Sequence, residues 1–149
     1  MKETNVTIVS TNLNNRLLDY YKDYYVINDN FTYEDLLNKK RVIFFNILNN
    51  LKNDELDKLF NYLKKNNIIF INITNNIELC LYTDYLIIFN KKDIILEGNT
   101  MDVLKNEKLI KRVGLQLPFI IELSFLLKDY GLIKETYLNK ESLMNALWN

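Results

Sequence analysis

The side chains that most often carry out chemistry in proteins are scarce in this sequence. It contains no histidine, a single cysteine at Cys80, and three glycines at Gly98, Gly114 and Gly131. Without an imidazole, no side chain switches its proton near neutral pH and nothing activates Cys80 as a nucleophile, so we predict a small buried apolar role for Cys80. Because every glycine lies beyond residue 97, a glycine-rich phosphate loop cannot follow an N-terminal strand.

Acidic side chains offer one other chemistry. Asp54, Glu55 and Asp57 are close enough along the chain to suggest a metal cluster. They also lie in the first turn of a predicted helix, where carboxylates complement the positive end of the helix dipole. We therefore predict no metal site.

The composition is typical of a single globular domain. The chain has 149 residues, of which 48% are apolar and 26% charged, enough to bury a core and unlike a disordered segment. Its 19 basic and 19 acidic residues cancel. Because nucleic-acid binders normally carry a basic excess, we expect no nucleic-acid partner.

The sequence also predicts a location. Its apolar runs are far shorter than the roughly 18–20 residues that span a bilayer, and no signal-like segment precedes the first predicted strand. A lone cysteine is compatible with a reducing compartment. We expect a cytoplasmic protein without direct membrane insertion.

Strand-length apolar runs alternate with helical periods along the chain. The predicted strands cover residues 6–10, 25–27, 42–45, 68–73, 85–90 and 94–97, the last two forming a hairpin. Helices are predicted for residues 13–24 and, most clearly, for residues 53–65. This alternation favours an α/β fold with a mainly parallel sheet, flanking helices and a helical C-terminal tail.

We predict one domain, because no flexible linker interrupts the chain. Residues 1–99 form the predicted α/β core and residues 100–149 a helical C-terminal extension of the same domain. In the extension, an apolar stripe is predicted to pack internally, with the seating of a partner helix as the alternative. The stripe consists of Phe119, Leu123, Leu126 and Leu127. Trp148 is either a docking contact or packs back on the domain.

Two segments resemble a known family. Residues 83–98 contain an aspartate, an apolar strand, a basic turn and a second strand that ends in Glu-Gly. This pattern resembles the strand pair that follows the switch histidine of ATP-binding-cassette (ABC) transporter ATPases. Residues 114–118, Gly-Leu-Gln-Leu-Pro, with Glu122-Leu123 after them, resemble a stretch of energy-coupling-factor (ECF) transporter ATPases, which serve vitamin and metal uptake. The resemblance covers roughly residues 41–149 and implies a reduced P-loop NTPase core.

At the family's catalytic positions this chain carries other residues. Asn46 stands where the family has its Mg²⁺-binding aspartate, Ile47 where it has the glutamate that positions water, and Asn75 where it has the histidine. The side-chain amides of Asn46 and Asn75 keep an oxygen acceptor, but they carry no negative charge and no switchable proton. Ile47 has no acceptor, no charge and no such proton. The resemblance therefore implies that no catalytic residue remains.

The N-terminal strand and the turn after it resemble a phosphate loop with its ligands replaced. In this register Ser10 and Asn15 replace the two glycines, Arg16 the lysine, and Leu17 the Mg²⁺-binding hydroxyl. A backbone cradle for phosphate needs conformations that glycine adopts cheaply, so we expect none here. Arg16 is either an anion contact or a solvated helix residue.

The spacing of these positions agrees with a reduced chain. Arg16 and Asn46 are 30 residues apart, whereas the family places a helical subdomain with a Leu-Ser-Gly-Gly-Gln signature between the two motifs. The resemblance therefore implies a degenerate ECF-type ABC ATPase that lacks this subdomain.

Three functions agree with these residues. The first is a non-hydrolysing pseudo-subunit or accessory interaction protein of an ECF-type transporter, without cofactor, held at the membrane by a transporter ATPase or its transmembrane component. The alternative is an ATP-binding subunit or sensor that binds ATP with Mg²⁺ through Arg16, Asn46 and Asn75. The third is a gene copy without a selected role.

Overall fold

A computed structural model describes residues 4–148, apart from the side chain of Tyr20. Its strands are β1 Val6–Ser10, β2 Tyr25–Ile27, β3 Arg41–Phe45, β4 Ile69–Thr74, β5 Tyr85–Asn90 and β6 Asp93–Asn99. They form one sheet in the order β2-β3-β4-β1-β5-β6, in which every neighbouring pair is parallel except the antiparallel hairpin of β5 and β6. The predicted α/β class with a mainly parallel sheet is confirmed.

The helices flank this sheet. They are α1 Tyr33–Leu36, α2 Asn53–Lys65, α3 Thr100–Leu104, α4 Glu107–Arg112, α5 Phe119–Asp129 and α6 Lys140–Trp148, with 3-10 helices at Asn15–Tyr21 and Ile77–Tyr82. None of the helices in the described part of the chain is long and apolar enough to cross a membrane.

The first helical segment differs from its prediction. An α-helix over residues 13–24 was expected, but the chain forms the seven-residue 3-10 helix Asn15–Tyr21. The side-chain oxygen of Asn14 accepts a hydrogen bond from the Arg16 N–H at 2.9 Å, and the Leu17 N–H donates to the Asn14 carbonyl at 3.2 Å. These local bonds begin a tight i to i+3 turn, which suits a short segment before β2.

Helix α2 follows the predicted pattern closely. Leu56, Leu59, Phe60 and Leu63 line one face and are buried against β3 and β4. The cap position is Lys52, and the Glu55 carboxylate accepts the Lys52 N–H at 3.3 Å. Periodic apolar residues therefore determine the helix, and the Glu55 carboxylate in its acidic first turn satisfies the N–H of Lys52 at its start.

The two faces of the sheet have different covers. One face packs under α2 and, further along, under the C-terminal helices, where Val9, Leu86 and Ile88 meet Leu104 and Ile121. The other face is covered by the first 3-10 helix. The strands end at Asn99 and helix α3 begins at the next residue. The division into a core of residues 1–99 and an extension of residues 100–149 stays a prediction, and residues 1–3 and 149 lie outside the described part.

Helix α5 presents a different face to the core than expected. Phe119 is 71% exposed and Leu126 52%, whereas Ile121 and Ser124 are fully buried. The Ser124 hydroxyl both accepts the Tyr137 N–H and donates to the Tyr137 carbonyl, at 3.3 Å each. The predicted internal packing of the whole apolar stripe is therefore wrong, because Ile121 and Ser124 occupy the core-facing side of the helix and Phe119 and Leu126 do not.

Several polar side chains are buried beside the sheet. The hydroxyls of Thr7 and Thr83 are 2.7 Å apart, and the Thr100 hydroxyl donates to the Thr83 carbonyl at 2.7 Å, which ties α3 to the sheet. Asn72, in the middle of β4, is fully buried and neither polar atom of its side chain has a hydrogen-bond partner within residues 4–148. A buried amide without partners costs about 1–3 kcal/mol.

Candidate functional site

The candidate residues gather along one edge of the sheet. Strands β1, β3, β4 and β5 run parallel and in register, so their carboxyl ends meet at the same edge. Ser10 ends β1, Asn46 follows β3 and Asn75 follows β4. Ligands of open parallel sheets bind outside this edge, which makes it the candidate site.

Three asparagines are joined there through hydrogen bonds. The Asn49 side-chain nitrogen donates to the Asn46 side-chain oxygen at 2.7 Å and to the Asn75 side-chain oxygen at 3.0 Å. The Asn49 oxygen accepts the Thr74 hydroxyl at 2.8 Å. We call these four residues the amide cluster. It unites Asn46 and Asn75, as expected from their positions after β3 and β4, and adds Asn49, which no sequence signal distinguished from the many other asparagines.

The donor set of the amide cluster does not fit a magnesium ion. Mg²⁺ in proteins is held by anionic carboxylate oxygens, whereas Asn46, Asn49 and Asn75 are neutral and already bonded to one another. Within the described residues, no group of three or more histidine, cysteine, aspartate or glutamate side chains could hold a metal ion. Neutral amides also neither take up nor release a proton near neutral pH.

The backbone gives Asn46 and Ile47 roles of their own. Asn46 has a φ of 55°, and its N–H donates to the Ile73 carbonyl at 2.7 Å. Asparagine tolerates this left-handed conformation better than most residues, so the turn itself favours it. Ile47 is half-buried and packs on the apolar cluster below α2. The assignment of both residues to lost catalytic positions stays a prediction.

The segment from Ser10 to Leu17 begins with hydrogen bonds between Ser10 and Asn12. The Ser10 hydroxyl accepts the Asn12 N–H at 3.2 Å and donates to the Asn12 carbonyl at 3.1 Å. No residue from 10 to 17 has a positive φ, which the alternating conformations of a phosphate-binding nest require. Leu17 is buried, while Asn15 and Arg16 are exposed. That Ser10, Asn15, Arg16 and Leu17 replace a phosphate loop stays a prediction.

Arg16 lies in a cleft of its own. The cleft has a volume of about 660 Å³ and is lined by Asn12, Asn14, Arg16, Leu17, Phe89, Lys91 and Lys92. We call it the basic cleft. Its lining includes neither Asn46 nor Asn75. The structure therefore divides the predicted site residues between two places, and it brings Lys91 and Lys92, which the sequence marked only as a basic turn, to Arg16.

A larger opening shares no lining residue with the basic cleft. It has a volume of about 700 Å³ between the second 3-10 helix, the start of α2, and helices α5 and α6. Its apolar lining includes Leu51, Leu81, Phe119, Leu123, Met144 and Leu147. We call it the apolar groove. Beside Phe119, the exposed aromatic side chains of Tyr130 and Trp148 also belong to this C-terminal region.

Cys80 is a core residue, as predicted. It is fully buried among Val9, Leu86 and Ile88. Burial, reinforced by the nearby Glu78 carboxylate, raises the pKa of the Cys80 thiol far above its ordinary value. The thiol is therefore neither accessible nor ionised, and it has no nucleophilic role.

Similarity to known proteins extends over part of the chain. No protein-family model matches it. It is 38% identical over 66 residues to the energy-coupling factor transporter ATP-binding protein EcfA1 of Bacillus subtilis, and 40% identical over 67 residues to that of Bacillus licheniformis. Each match covers 44% of this chain and 24% of the relative, so the chain matches only about a quarter of the length of these relatives.

A solved structure gives a partial likeness. The structure is that of cbiO1 from Clostridium perfringens, which is part of the ABC transporter complex cbiONQ. The two chains share 24% sequence identity, and the match has a TM-score of 0.41 over 60% of this chain and 36% of that chain. The sequence matches confirm the predicted resemblance to ECF-type ABC ATPases over the matched part. The loss of catalysis and of the helical subdomain stays a prediction.

Proposed function

We propose that this chain, similar in part to ECF transporter ATP-binding proteins, is a non-hydrolysing component of an ECF-type ABC transporter. In this role it acts through protein contacts, as a pseudo-subunit or accessory protein. It resides in the cytoplasm and reaches the membrane through its partner, a transporter ATPase or the transmembrane component. The observation that carries the proposal is the amide cluster, whose Asn46 and Asn75 we assign to positions where ABC ATPases carry charged or titratable groups.

The amide cluster supports the loss of hydrolysis on chemical grounds. Phosphoryl transfer depends on a metal that neutralises charge and on a group that orients the attacking water. Here the Asn46 and Asn75 oxygens both accept hydrogen bonds from Asn49, and Ile47 packs on the core. None of these side chains is charged or able to transfer a proton.

The basic cleft bears on the alternative, an ATP-binding subunit or sensor. That function requires Arg16, Asn46 and Asn75 to meet one ATP molecule with its Mg²⁺. Arg16 lines the basic cleft, from which both asparagines are absent, and the asparagines bond to Asn49 instead. This separation favours the non-hydrolysing role.

Restoring the family's catalytic residues is expected to leave the chain inactive. The variant Asn46→Asp/Ile47→Glu/Asn75→His supplies the missing charges but not the phosphate loop, because residues 10–17 contain no left-handed residue. We expect ATP turnover below about 0.01 per second, roughly a hundredfold under the low end of typical enzymes. Phosphate release with Mg²⁺ and ATP measures it.

An active ABC ATPase in the same assay is the positive control for this test. Circular dichroism of the triple variant must show a folded chain, since Ile47 is half-buried. Turnover that exceeds the blank and requires all three substitutions would contradict the proposal, because it would mean that the loop after β1 holds phosphates productively.

The C-terminal helices offer the surface for a partner. Phe119 and Met144 line the apolar groove with exposed apolar side chains, and Leu126 and Trp148 are exposed elsewhere on the same two helices. Apolar surface concentrated in this way is typical of protein contact sites. We assign it to a subunit of the transporter, in line with the similarity to ECF transporter proteins.

Affinity purification from solubilised native membranes tests this assignment. The tagged chain is expected to recover a transporter ATPase or its transmembrane component, identified by mass spectrometry. The variant Phe119→Gln/Met144→Gln should recover at least about tenfold less, because contacts of this kind concentrate at a few large apolar side chains.

The variant Leu37→Gln/Ile94→Gln is the matched control, since it removes two similarly exposed apolar side chains outside the apolar groove. It should recover the same amount of transporter subunit as the native chain. Recovery of no transporter subunit by the native chain would overturn the proposed function. Equal losses from both variants would overturn the role of the groove.

A further inference from the structure

We propose that the basic cleft binds a small compound that carries several phosphate charges. This inference goes beyond the proposed function, which concerns protein contacts at the apolar groove. The cleft lies at the carboxyl edge of the sheet, between the loop that follows β1 and the turn that joins β5 to β6. Because Ser10 and Phe89 are paired in the sheet, that loop and that turn leave the edge side by side.

Charge is the first observation that indicates an anion. Arg16, Lys91 and Lys92 line the same cleft, in a chain whose net charge is zero. Within residues 4–148, the side chains of these three residues form no ion pair; the ion pairs of Lys105 and Lys111 lie elsewhere. Three unpaired cations around one opening create a positive potential that attracts a multiply charged anion.

The hydrogen-bonding groups of the cleft are mostly donors. Arg16 provides a planar fork that matches phosphate oxygens, and the two lysines provide compact point charges. The Asn14 side-chain oxygen is already bonded to the Arg16 N–H, which leaves its amide N–H groups available. Asn12 adds a second amide. Such a set suits a ligand with many acceptors and few donors, which is the chemistry of a polyphosphate.

The shape of the cleft suits a small molecule. Its volume of about 660 Å³ lies in the ordinary range for small-molecule sites, roughly 300–1,000 Å³. The buried side chains of Leu17 and Phe89 form an apolar wall. Charged groups beside an apolar wall hold an anion more strongly than they would in open water.

The conformation of Lys91 agrees with a binding role. Asn90 and Asp93 are paired across the hairpin, so Lys91 and Lys92 form its two-residue turn, and Lys91 has a φ of 58°. Glycine or asparagine adopts this left-handed conformation with less strain than lysine. The turn geometry alone therefore does not explain a lysine at this position.

The inferred site differs from a phosphate loop. Side chains supply its donors, whereas a phosphate loop uses successive backbone N–H groups. Two of its three cations come from the β5–β6 turn, far along the chain from the segment after β1. The site therefore does not depend on the register in which residues 10–17 were compared with such a loop.

Calorimetric titration of the whole chain with inorganic tripolyphosphate, without metal and at low salt, tests the site. The native chain is expected to bind one molecule. Lys91→Gln/Lys92→Gln and, separately, Arg16→Gln should each weaken binding at least about tenfold, since each removes charge-assisted hydrogen bonds. Thermal unfolding of the variants confirms that they are folded.

The matched control is Lys64→Gln/Lys65→Gln. This variant removes two adjacent, exposed lysines at the end of α2, which packs on the opposite face of the sheet. Its net charge equals that of the Lys91→Gln/Lys92→Gln variant, so a general charge effect would weaken both equally. We expect its affinity to stay within about twofold of the native chain. No binding by the native chain, or equal losses in both pairs, would overturn the proposal.

Parallel titrations with ATP and adenosine distinguish the sources of the phosphate. ATP binding that is lost in the Lys91→Gln/Lys92→Gln variant, with no binding of adenosine, would support a nucleotide as the ligand. Tripolyphosphate binding without ATP binding would support an inorganic or smaller phosphate compound. Adenosine binding as tight as that of ATP would overturn the proposal, because the cations would then contribute nothing.

Discussion

Replacing Phe70 by alanine is expected to lower the free energy of unfolding by about 3–5 kcal/mol. Phe70 lies in β4, is fully buried, and sits between two other aromatic rings. Its ring centroid is 4.9 Å from that of Phe60 on α2 and 6.5 Å from that of Phe44 on β3. Truncation removes this contact surface and leaves a cavity that neighbours on a rigid sheet cannot fill.

A loss of this size matters because single domains are stable by only about 5–15 kcal/mol. Urea unfolding followed by circular dichroism measures it. Phe119→Ala is the matched control, since the same ring is removed from a position that is mostly exposed, and its effect should stay within about 0.5 kcal/mol. A loss below about 1 kcal/mol for Phe70→Ala would contradict the packing of α2 on this face.

Raising the pH above about 9 is expected to destabilise the fold, chiefly through Cys80. Burial raises the pKa of this thiol in the folded chain, whereas the unfolded chain ionises near the ordinary value of about 8.5. Because the folded pKa is the higher one, the stabilisation is complete below the unfolded pKa and is lost as the pH rises towards the folded pKa. The loss is at most about 1.4 kcal/mol per pH unit while only the unfolded thiol is ionised.

Tyr82 reinforces this alkaline sensitivity. Burial and, secondly, its hydrogen bond to the Asp57 carboxylate at 2.9 Å raise the pKa of the phenol. Because the folded pKa is again the higher one, the stabilisation from Tyr82 is lost only once the pH exceeds the ordinary tyrosine pKa of about 10. Between about pH 9 and pH 10 the dependence should therefore come mainly from Cys80.

Urea unfolding at several pH values separates these contributions. Cys80→Ala removes the thiol and should flatten the fall in unfolding free energy between about pH 9 and pH 10, although the variant starts from a lower stability. Tyr82→Phe should leave that interval unchanged and flatten the fall at higher pH. If the native chain and Cys80→Ala lose stability in parallel, the thiol does not control the alkaline limit.

The sequence by itself determined the local elements and the chemistry that is missing. Strands β1, β3 and β4 were predicted to within about a residue, because each is a short apolar run between polar turns. Helix α2 was predicted because its apolar residues recur at helical spacing. The lack of histidine, and of glycine before residue 98, is a property of composition that no folding can change.

Some local features depended on the rest of the molecule. An apolar stripe on α5 indicates a helix, but which side faces the core depends on what the helix packs against, and Ser124 rather than Phe119 faces inward. Likewise, Asn72 belongs to a strand-like apolar run, yet only packing leaves its amide buried without a partner in the described part of the chain.

Only the tertiary structure decided which distant residues form a site. Asn49 joins Asn46 to Asn75 because β3 and β4 are neighbours that end at one edge. Lys91 and Lys92 meet Arg16 because β1 lies beside β5. Sequence patterns report interactions over a few residues, whereas strand order follows from the burial of whole faces. The amide cluster and the basic cleft are consequences of that order.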